Sequence, residues 1–268
     1  ALVMRPDILN PLFAEVRALK GVGPGLAKPL ERLGLERVKD ILYHFPNSWT
    51  YRKAVSCLDV SDVGNNIILT VTVMDHRGGS SPRAPLRIFA VDSGGNYITL
   101  TFFGRNGGWA RKQLPVGEQR IISGKLDRYG DELQMVHPDH VVPIGSDASP
   151  GLAEPIYPLS DGLTNKRMEQ LAAASLQDVP DLADWIEPTL LSSRGWSGWS
   201  ASINIVHNKD DQGARDRLAY DELFSNQLAM RLIRAAMDKR TAVPIRGDGS
   251  LVSKLQLPFA LTGAQQRA

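Results

Sequence analysis

The sequence predicts an α+β chain of several parts: a helical region, a small β-barrel, and a second helical region that ends in a long helix. Three observations carry that class. Apolar residues recur at the 3.6-residue period over residues 7–45, at a period of two over residues 66–142, and at the helical period again over residues 164–176 and 214–240. A chain of 268 residues has room for about two domains of roughly 150 residues. With 43% hydrophobic and 22% charged residues, its composition is that of a folded chain, not of a disordered or collagen-like one. No apolar run reaches the ~18 residues of a bilayer span, and the longest candidate, Asn66 to Met74, is interrupted by threonines. The first ten residues lack a signal-peptide pattern and Cys57 stands alone, so a reducing, cytoplasmic compartment is expected. Ala1 with Met4 just behind it reads as a trimmed start.

Residues 1–57 form the helical N-terminal region, with Ile8, Leu12, Phe13, Val16 and Leu19 on one face. Within it, LKGVGPGLAKPLERLGL at 19–35 has the form of a helix-hairpin-helix. A glycine-x-glycine turn exposes backbone N–H groups that can hold a phosphate, which makes Gly21, Gly23 and the adjoining Lys20 candidates. An ordinary helix pair, with glycines supplying positive φ, fits the same residues. Pro29 lies six residues into a helix begun at Pro24 and would cost ~3 kcal/mol there, so the second helix is expected to start near Ala27.

Residues 58–145 carry the strands. NIILTVTVMDH at 66–76 alternates as a strand, LRIFAVD and NYITLTFF form a hairpin through Ser93, Gly94 and Gly95, and GRNGGWARKQL reads as a short helix. EQRIISGKL is a fourth strand and LQMVHP a fifth, after the turn from Tyr129 to Asp131. Three strands, a helix and two strands is the order of a five-stranded OB-fold barrel, a module that commonly binds oligonucleotides. Residues 146–245 form a helical connector that starts in a Gly-, Ser- and Pro-rich linker. It continues through TNKRMEQLAAASL and LADWIEPTLL to the long helix at 214–240, whose Leu218, Leu223, Phe224, Leu228, Met230, Leu232 and Ile233 give a broad apolar face. Arg231, Arg234, Lys239 and Arg240 crowd its C-terminal end, where the helix dipole favours cations. Residues 246–268 follow.

The formal net charge is only +2, but it is unevenly placed. Residues 146–213 hold ten acids against four cations, whereas residues 77–128 hold nine cations against Asp92, Glu118 and Asp127. Local fields are what phosphates feel.

The familiar catalytic motifs are missing from the sequence: it has no phosphate-binding GxxxxGK[ST] loop, no H-E-x-x-H, no G-x-S-x-G and no Cys pair at zinc spacing. HPDH at 137–140 reads as a strand-ending turn, and no metal site is expected. The positive signal is FFGRNGGWARKQ at 102–113, which sets Phe102, Phe103 and Trp109 among Arg105, Arg111 and Lys112. Bases offer π-faces and phosphates offer charge, so aromatics among cations suit an unpaired strand, with stacking worth ~1–3 kcal/mol per base. Arg83, Arg87 and Lys125 add to the same positive field. Phe102 and Phe103 are adjacent in a strand and face opposite ways, so at most one of them belongs to the core.

GVGPGLAKPLERLGL, HFPNSWTYR at 44–52, PIYPLSDGLTNKRM at 155–168, RLAYDELFSNQLAM at 217–230 and LPFALTGAQQRA at 257–268 run in order along the chain. Together they resemble the N-terminal half of the RecG family of bacterial ATP-dependent DNA helicases. The resemblance implies that the OB-fold is a wedge at the branch point of stalled replication forks and Holliday junctions. Two aromatics that stack on bases where the strands part then fall on Phe103 and Trp109. It implies, too, that residues 246–268 begin a motor domain, with Phe259, Thr262 and Gln265 on the approach to adenine, and that the phosphate-binding loop lies beyond Ala268. ATP and Mg would then serve the full-length enzyme, while this chain alone would have no catalytic residues and bind no cofactor. Branched DNA is the implied partner, a single-strand DNA-binding protein a candidate one, the monomer the implied state and the bacterial nucleoid the implied location. Two other readings fit the residues: a stand-alone OB-fold protein that coats single strands, and a protein-interaction scaffold that docks through its acidic block.

Overall fold

The computed structural model describes residues 5–78, 84–104, 107–146, 149–238, 247–251 and 254–267. The chain divides into two compact units, Ala1–Leu218 and Ala219–Ala268.

The helical lead is less regular than its periodicity predicts. Asp7–Phe13 and Val16–Ala18 are 3-10 turns, the first containing Pro11, which lacks the N–H an α ladder needs. Two helices follow, α1 at Pro24–Arg32 and α2 at Val38–Leu42. Helix α1 begins at Pro24 and not near Ala27, so Pro29 lies inside it. It is tolerated there for two reasons. The carbonyl it leaves unbonded belongs to exposed Gly25, and the buried ring packs where a Cβ on Gly162 would come within 3.3 Å of Pro29 Cγ. The Pro29 carbonyl accepts from Ser160 Oγ at 2.7 Å.

Among the described residues ten strands follow in chain order: β1 Ser48–Tyr51, β2 Lys53–Ala54, β3 Asn66–Gly78, β4 Leu86–Val91, β5 Tyr97–Phe102, β6 Gln119–Lys125, β7 Asp127–Tyr129, β8 Glu132–Val136, β9 His140–Pro143 and β10 Ala153–Ile156. The expected five-stranded barrel is an eight-stranded sheet. Its order is β7-β8-β5-β4-β3-β6-β9, with β2 parallel to the start of β3, and no described pairing joins β7 to β9 to close it. The extra strands have local causes. Buried Leu126 is clamped between Gly64 and Asn65 by two backbone bonds of 2.8 and 2.9 Å, which divides β7 from β6. His137, at φ +48°, and Pro138 divide β9 from β8. The 13-residue β3 is long enough to serve β6 on one side and both β2 and β4 on the other.

Helix α3, Gly107–Gln113, links β5 to β6. One core fills the inner face of the sheet: Ile67, Leu69, Val71 and Val73 of β3 pack with Ile88, Leu100, Phe102, Ile122 and Met135. Gly124 lets the sheet curl, because a Cβ there would come within 2.9 Å of Met135 Sδ.

The residues before and after the sheet share a second core. Leu12, Val16, Leu30, Ile41 and Leu42 pack with Met168 and Leu171 of α4 (Asn165–Leu176), Trp199, Ile203 and Val206 of α6 (Trp199–Asn208), and Leu218. Helix α5, Pro188–Arg194, ends on Gly195 at φ +64°. Strand β1 lies inside the region expected to be helical and pairs antiparallel with β10, Ser48 opposite Ile156 and Tyr51 opposite Ala153, so the chain is stapled together on both sides of the sheet. Helix α7 runs over Gln212–Asp238, and residues 239 and 240 of the expected helix lie outside the described residues. Its first turns belong to the first unit, where fully buried Arg217 bonds both oxygens of Asp184 at 2.9 and 3.0 Å. In the second unit, Leu223, Phe224, Leu228, Met230, Leu232 and Ile233 are exposed, and a short helix α8 forms at Gly263–Arg267.

Candidate nucleic-acid interface

The two adjacent phenylalanines part at the end of β5. Phe102 is 2% exposed and belongs to the sheet core, which corrects its assignment as a DNA contact, because its ring has no face free for a base. Phe103 is 52% exposed and Trp109, on α3, is 50% exposed.

Helix α3 is fastened to the sheet at several points. Ala110 and Leu114 are buried, and Gly107 lies against Leu86, where an added Cβ would sit 3.6 Å away. His76 of β3 donates from Nε2 to the Leu114 carbonyl at 2.6 Å, which leaves Nδ1 to accept from Arg111 Nη1 at 3.4 Å. Arg111 Nη2 also donates to the Gly78 carbonyl at 2.6 Å. Arg111, expected to grip DNA, is thus engaged first in holding the helix that carries Trp109.

The structure adds His137, which the sequence marked only as part of a turn. Its own N–H donates to the Thr101 carbonyl at 2.9 Å, and its Nε2 accepts the N–H of Phe103 at 3.2 Å, so the neutral ring carries its proton on Nδ1. The ring lies 5.8 Å from that of Phe103 and 6.0 Å, edge-on, from that of Phe102, which in turn meets Trp109 at 6.4 Å. A continuous aromatic ridge results, exposed at both ends and anchored in the core between them. One shallow hollow beside it is lined by Phe102, Trp109, His137 and Pro138.

Trp109 also borders a second hollow, with Thr50, Arg52, His140, Glu154 and Lys166. Arg52 is buried there, paired with Glu154 and 3.9 Å from Asp139. His140 donates to Glu154 at 3.0 Å, and that bond, with the nearby Arg52 charge, holds the Glu154 carboxyl below its ordinary range against the effect of burial. Burial and the Glu154 charge push neighbouring Glu169 of α4 the other way, up to about 6.

Among the other expected contacts, Arg87 is exposed on β4 opposite Thr101, two residues before Phe103. Lys112 is exposed on α3, and Lys125 is exposed at the end of β6. Arg83 and Arg105 lie outside the described residues.

The glycine turn has Gly21 at φ +94° and Gly23 capping α1, but a 3-10 turn precedes it, so it is not flanked by two α-helices. The Gly21 carbonyl accepts from Arg167 of α4, and a Cβ at Gly21 would come 2.8 Å from Arg167 Nη2. Gly23, Gly25, Thr164 and Arg167 line one hollow, where the N-termini of α1 and α4 both open, with exposed Lys20 preceding the turn. In the second unit Phe259 is 60% exposed. Thr262 and Gln265 cap α8 reciprocally, the Thr262 N–H donating to Gln265 Oε1 at 2.9 Å and the Gln265 N–H to Thr262 Oγ1 at 3.4 Å. Among the described residues no helix is long and apolar enough to cross a membrane, and no three His, Cys, Asp or Glu side chains are grouped to hold a metal ion.

The chain is similar to known proteins along nearly its whole length. The ATP-dependent DNA helicase RecG of Acidithiobacillus ferridurans is 28% identical over 267 residues, covering 96% of this chain and 38% of that protein. RecG of Aquifex aeolicus is 28% identical over 282 residues, covering 97% and 35%, and that of Escherichia coli K12 is 26% identical over 273 residues, covering 93% and 38%. The chain therefore spans a little over a third of the length of the curated relatives it matches. A solved structure of RecG bound to a three-way DNA junction superposes with a TM-score of 0.66 at 25% identity, covering 96% of this chain and 36% of that one. The sequence model of the RecG wedge domain matches residues 15–179, more than half of the chain, and the chain belongs to that family.

Proposed function

We propose that this chain is the branched-DNA-binding N-terminal region of an ATP-dependent helicase that remodels stalled replication forks and Holliday junctions. The single observation that carries the reading is the ridge of Phe103, His137, Phe102 and Trp109, with two half-exposed aromatic rings fixed to a packed sheet. Rings held in place stack on a base without first losing rotamer freedom, so the wedge acts by position and by stacking. Where two strands part, Phe103 and Trp109 each cap an orphaned base while the rigid sheet blocks the duplex. Arg87, Lys112 and Lys125, with Arg83 and Arg105, supply cations that grip backbones without reading sequence, so binding follows branch shape and weakens with salt.

We read the sheet as an opened OB-type fold, since three strands, a helix and further strands follow in that order. The parts we assign are residues 1–57 as lead, 58–145 as wedge, 146–245 as connector and 246–268 as the start of the motor. The exposed apolar residues of α7 support a motor that covers them, with ATP and Mg bound there and Phe259, Thr262 and Gln265 near the adenine. On this reading the 268-residue chain alone turns over no ATP. The glycine turn is a second DNA anchor, for which Arg167 and Lys20 supply the charge. The protein works as a monomer in the bacterial cytoplasm at the nucleoid, and a single-strand DNA-binding protein is its candidate partner.

Competition between a forked and a linear single-stranded DNA at one fixed salt concentration tests the reading. Preference for the fork is expected; equal affinity for both substrates would overturn it in favour of a strand-coating protein.

A further inference from the structure

We propose that Arg52 and Glu154, gripping Asp139 and His140 at the start of β9, lock the angle between the sheet and the helical body and so set the preference for branched over linear DNA. The proposal rests on the fork-binding reading, with the ridge on the sheet and the glycine turn on the body as its two anchors. The body is the core shared by the lead and the connector, and the ribbon of β1 and β10 is fastened to it. Asn165 of α4 donates to the Pro155 carbonyl at 2.8 Å and accepts the Tyr157 N–H at 2.9 Å. Arg215 of α7 donates to the Pro46 carbonyl at 2.7 Å, and the Tyr51 hydroxyl donates to Asp210 at 2.5 Å. The sheet has its own core, which shares no buried apolar residue with that of the body among the described residues. The chain crosses from one to the other twice. A single residue, Arg52, lies between Tyr51 of β1 and Lys53 of β2, and residues 144–152 make the return. The Arg52 N–H donates to the Leu152 carbonyl at 2.7 Å, which holds the two crossings side by side.

Side chains close the crossing. The Arg52 side chain is buried, pairs with Glu154 of the ribbon and reaches Asp139 at 3.9 Å, while Glu154 also accepts from His140 Nε2 at 3.0 Å. His140 stands opposite Ser123 of β6, so these contacts to Asp139 and His140 run from the ribbon to the sheet. Stability does not account for the arrangement. Arg52 Nε and Nη1 are buried and have no hydrogen-bond partner among the described residues, and apolar side chains of similar volume commonly hold such a seam at least as well as a buried ion pair. What the pair supplies instead is one defined geometry, because its bonds are lost when the angle changes. The lock also lies beside the ridge. Trp109 from the sheet and Asn165 and Lys166 from α4 line one hollow with Arg52 and His140, so a turn about Arg52 would carry Trp109 against α4. A fork that meets both the ridge and the glycine turn benefits from the second anchor only when the spacing between them is held, whereas a linear strand on the ridge alone is indifferent to that spacing.

The test combines Asp139→Asn with His140→Phe, which removes both contacts across the seam and leaves the Arg52–Glu154 pair whole, so that no buried charge is left alone. In a Cys57→Ser background, spin labels on Glu31→Cys of α1 and Tyr129→Cys of β7, both exposed positions, report the angle as a distance distribution by pulsed electron paramagnetic resonance. The wild-type lock should give one narrow distribution and the double variant a broad one, with little change in melting temperature. Fork affinity of the double variant should fall roughly five-fold or more, while its affinity for a linear single strand stays within about two-fold of wild type. Asp139→Asn with His140→Gln, which keeps a donor for Glu154, should recover the narrow distribution and most of the fork affinity. A double variant with the wild-type distribution, a broad distribution with fork affinity unchanged, or equal losses on fork and linear strand would each overturn the lock alone. Absence of fork preference in wild type would instead overturn the fork reading beneath it.

Discussion

Phe102 and Phe103 are neighbours with the same side chain, and truncating each should damage a different property. Phe102 is 2% exposed in the sheet core, packed with Trp109 and His137 at 6.4 and 6.0 Å. Phe102→Ala removes that burial and leaves a cavity, a change that costs about 3–5 kcal/mol in well-packed cores. At about 2–4 °C per kcal/mol for chains of this size, the melting temperature should fall by roughly 6–20 °C. Phe103 is 52% exposed, so Phe103→Ala gives up little burial and should shift melting by only a degree or two, in line with ~0.5 kcal/mol for surface changes. Its loss should appear on DNA instead. One base stack is worth about 1–3 kcal/mol, which is roughly a 5- to 150-fold weaker dissociation constant for a fork. Calorimetric melting and fork titration of the two variants, side by side at fixed salt, separate the effects. A Phe103→Ala protein that binds forks like wild type, or a Phe102→Ala protein that melts like wild type, would refute the division of roles.

Three further outcomes are expected. His137→Ala leaves the Phe103 N–H without its acceptor and should weaken fork binding several-fold with little change in melting; His137→Gln, which restores an acceptor, should recover part of the loss, whereas His137→Phe should not. Glu169 is held at about 6, above its ordinary 4.5, so the folded state binds more protons than the unfolded one between those values. Its favourable contribution is present below pH 4.5 and lost as pH rises through about 6. Glu169→Gln should accordingly stabilise the protein at pH 8 by roughly 1–2 kcal/mol, with no gain at pH 4.5, and denaturant melts at the two values decide it. His207 is the opposite case: burial holds its pKa below 6.5, while Tyr157 and the Leu42 carbonyl bond its two ring nitrogens at 2.9 Å each. Stability from this neutral ring is complete above about pH 6.5 and lost as pH falls below it, because the unfolded chain takes up the proton first. Melting temperature of Glu169→Gln, in which the opposing group is silent, should therefore decline below that pH; a flat profile from 7 to 5 would count against it.

Much of the site was legible in order but not in partnership. Alternation showed that Phe102 and Phe103 point apart, yet it could not say which one entered the core. The packing of β5 against its neighbours decided that. His137 carried a faint signal, a His-Pro at the end of a strand, but its partner Phe103 is 34 residues away and is reached only because β8 runs parallel to β5. Arg111 read as a free cation in a basic string; three dimensions gave it the Gly78 carbonyl. The glycine turn showed where the chain bends, and Arg167, 146 residues downstream, now braces it. The count of strands fell short because β2, β7 and β9 are only two, three and four residues long, too short for alternation to show.

Sequence alone determined the alternation of helical and extended segments, the clustering of aromatic and basic residues at 102–113, and the motifs that place the chain in its family, because these depend on residues within a few positions of one another. Tertiary structure decided which side chains meet. The lead and the connector share one core, β1 reaches β10 across a hundred residues, and Arg87 faces Arg77 across β3 and β4. Local periodicity sets which face of an element is apolar, whereas the partner of that face is chosen by burial and register over the whole chain, which no short window of sequence contains.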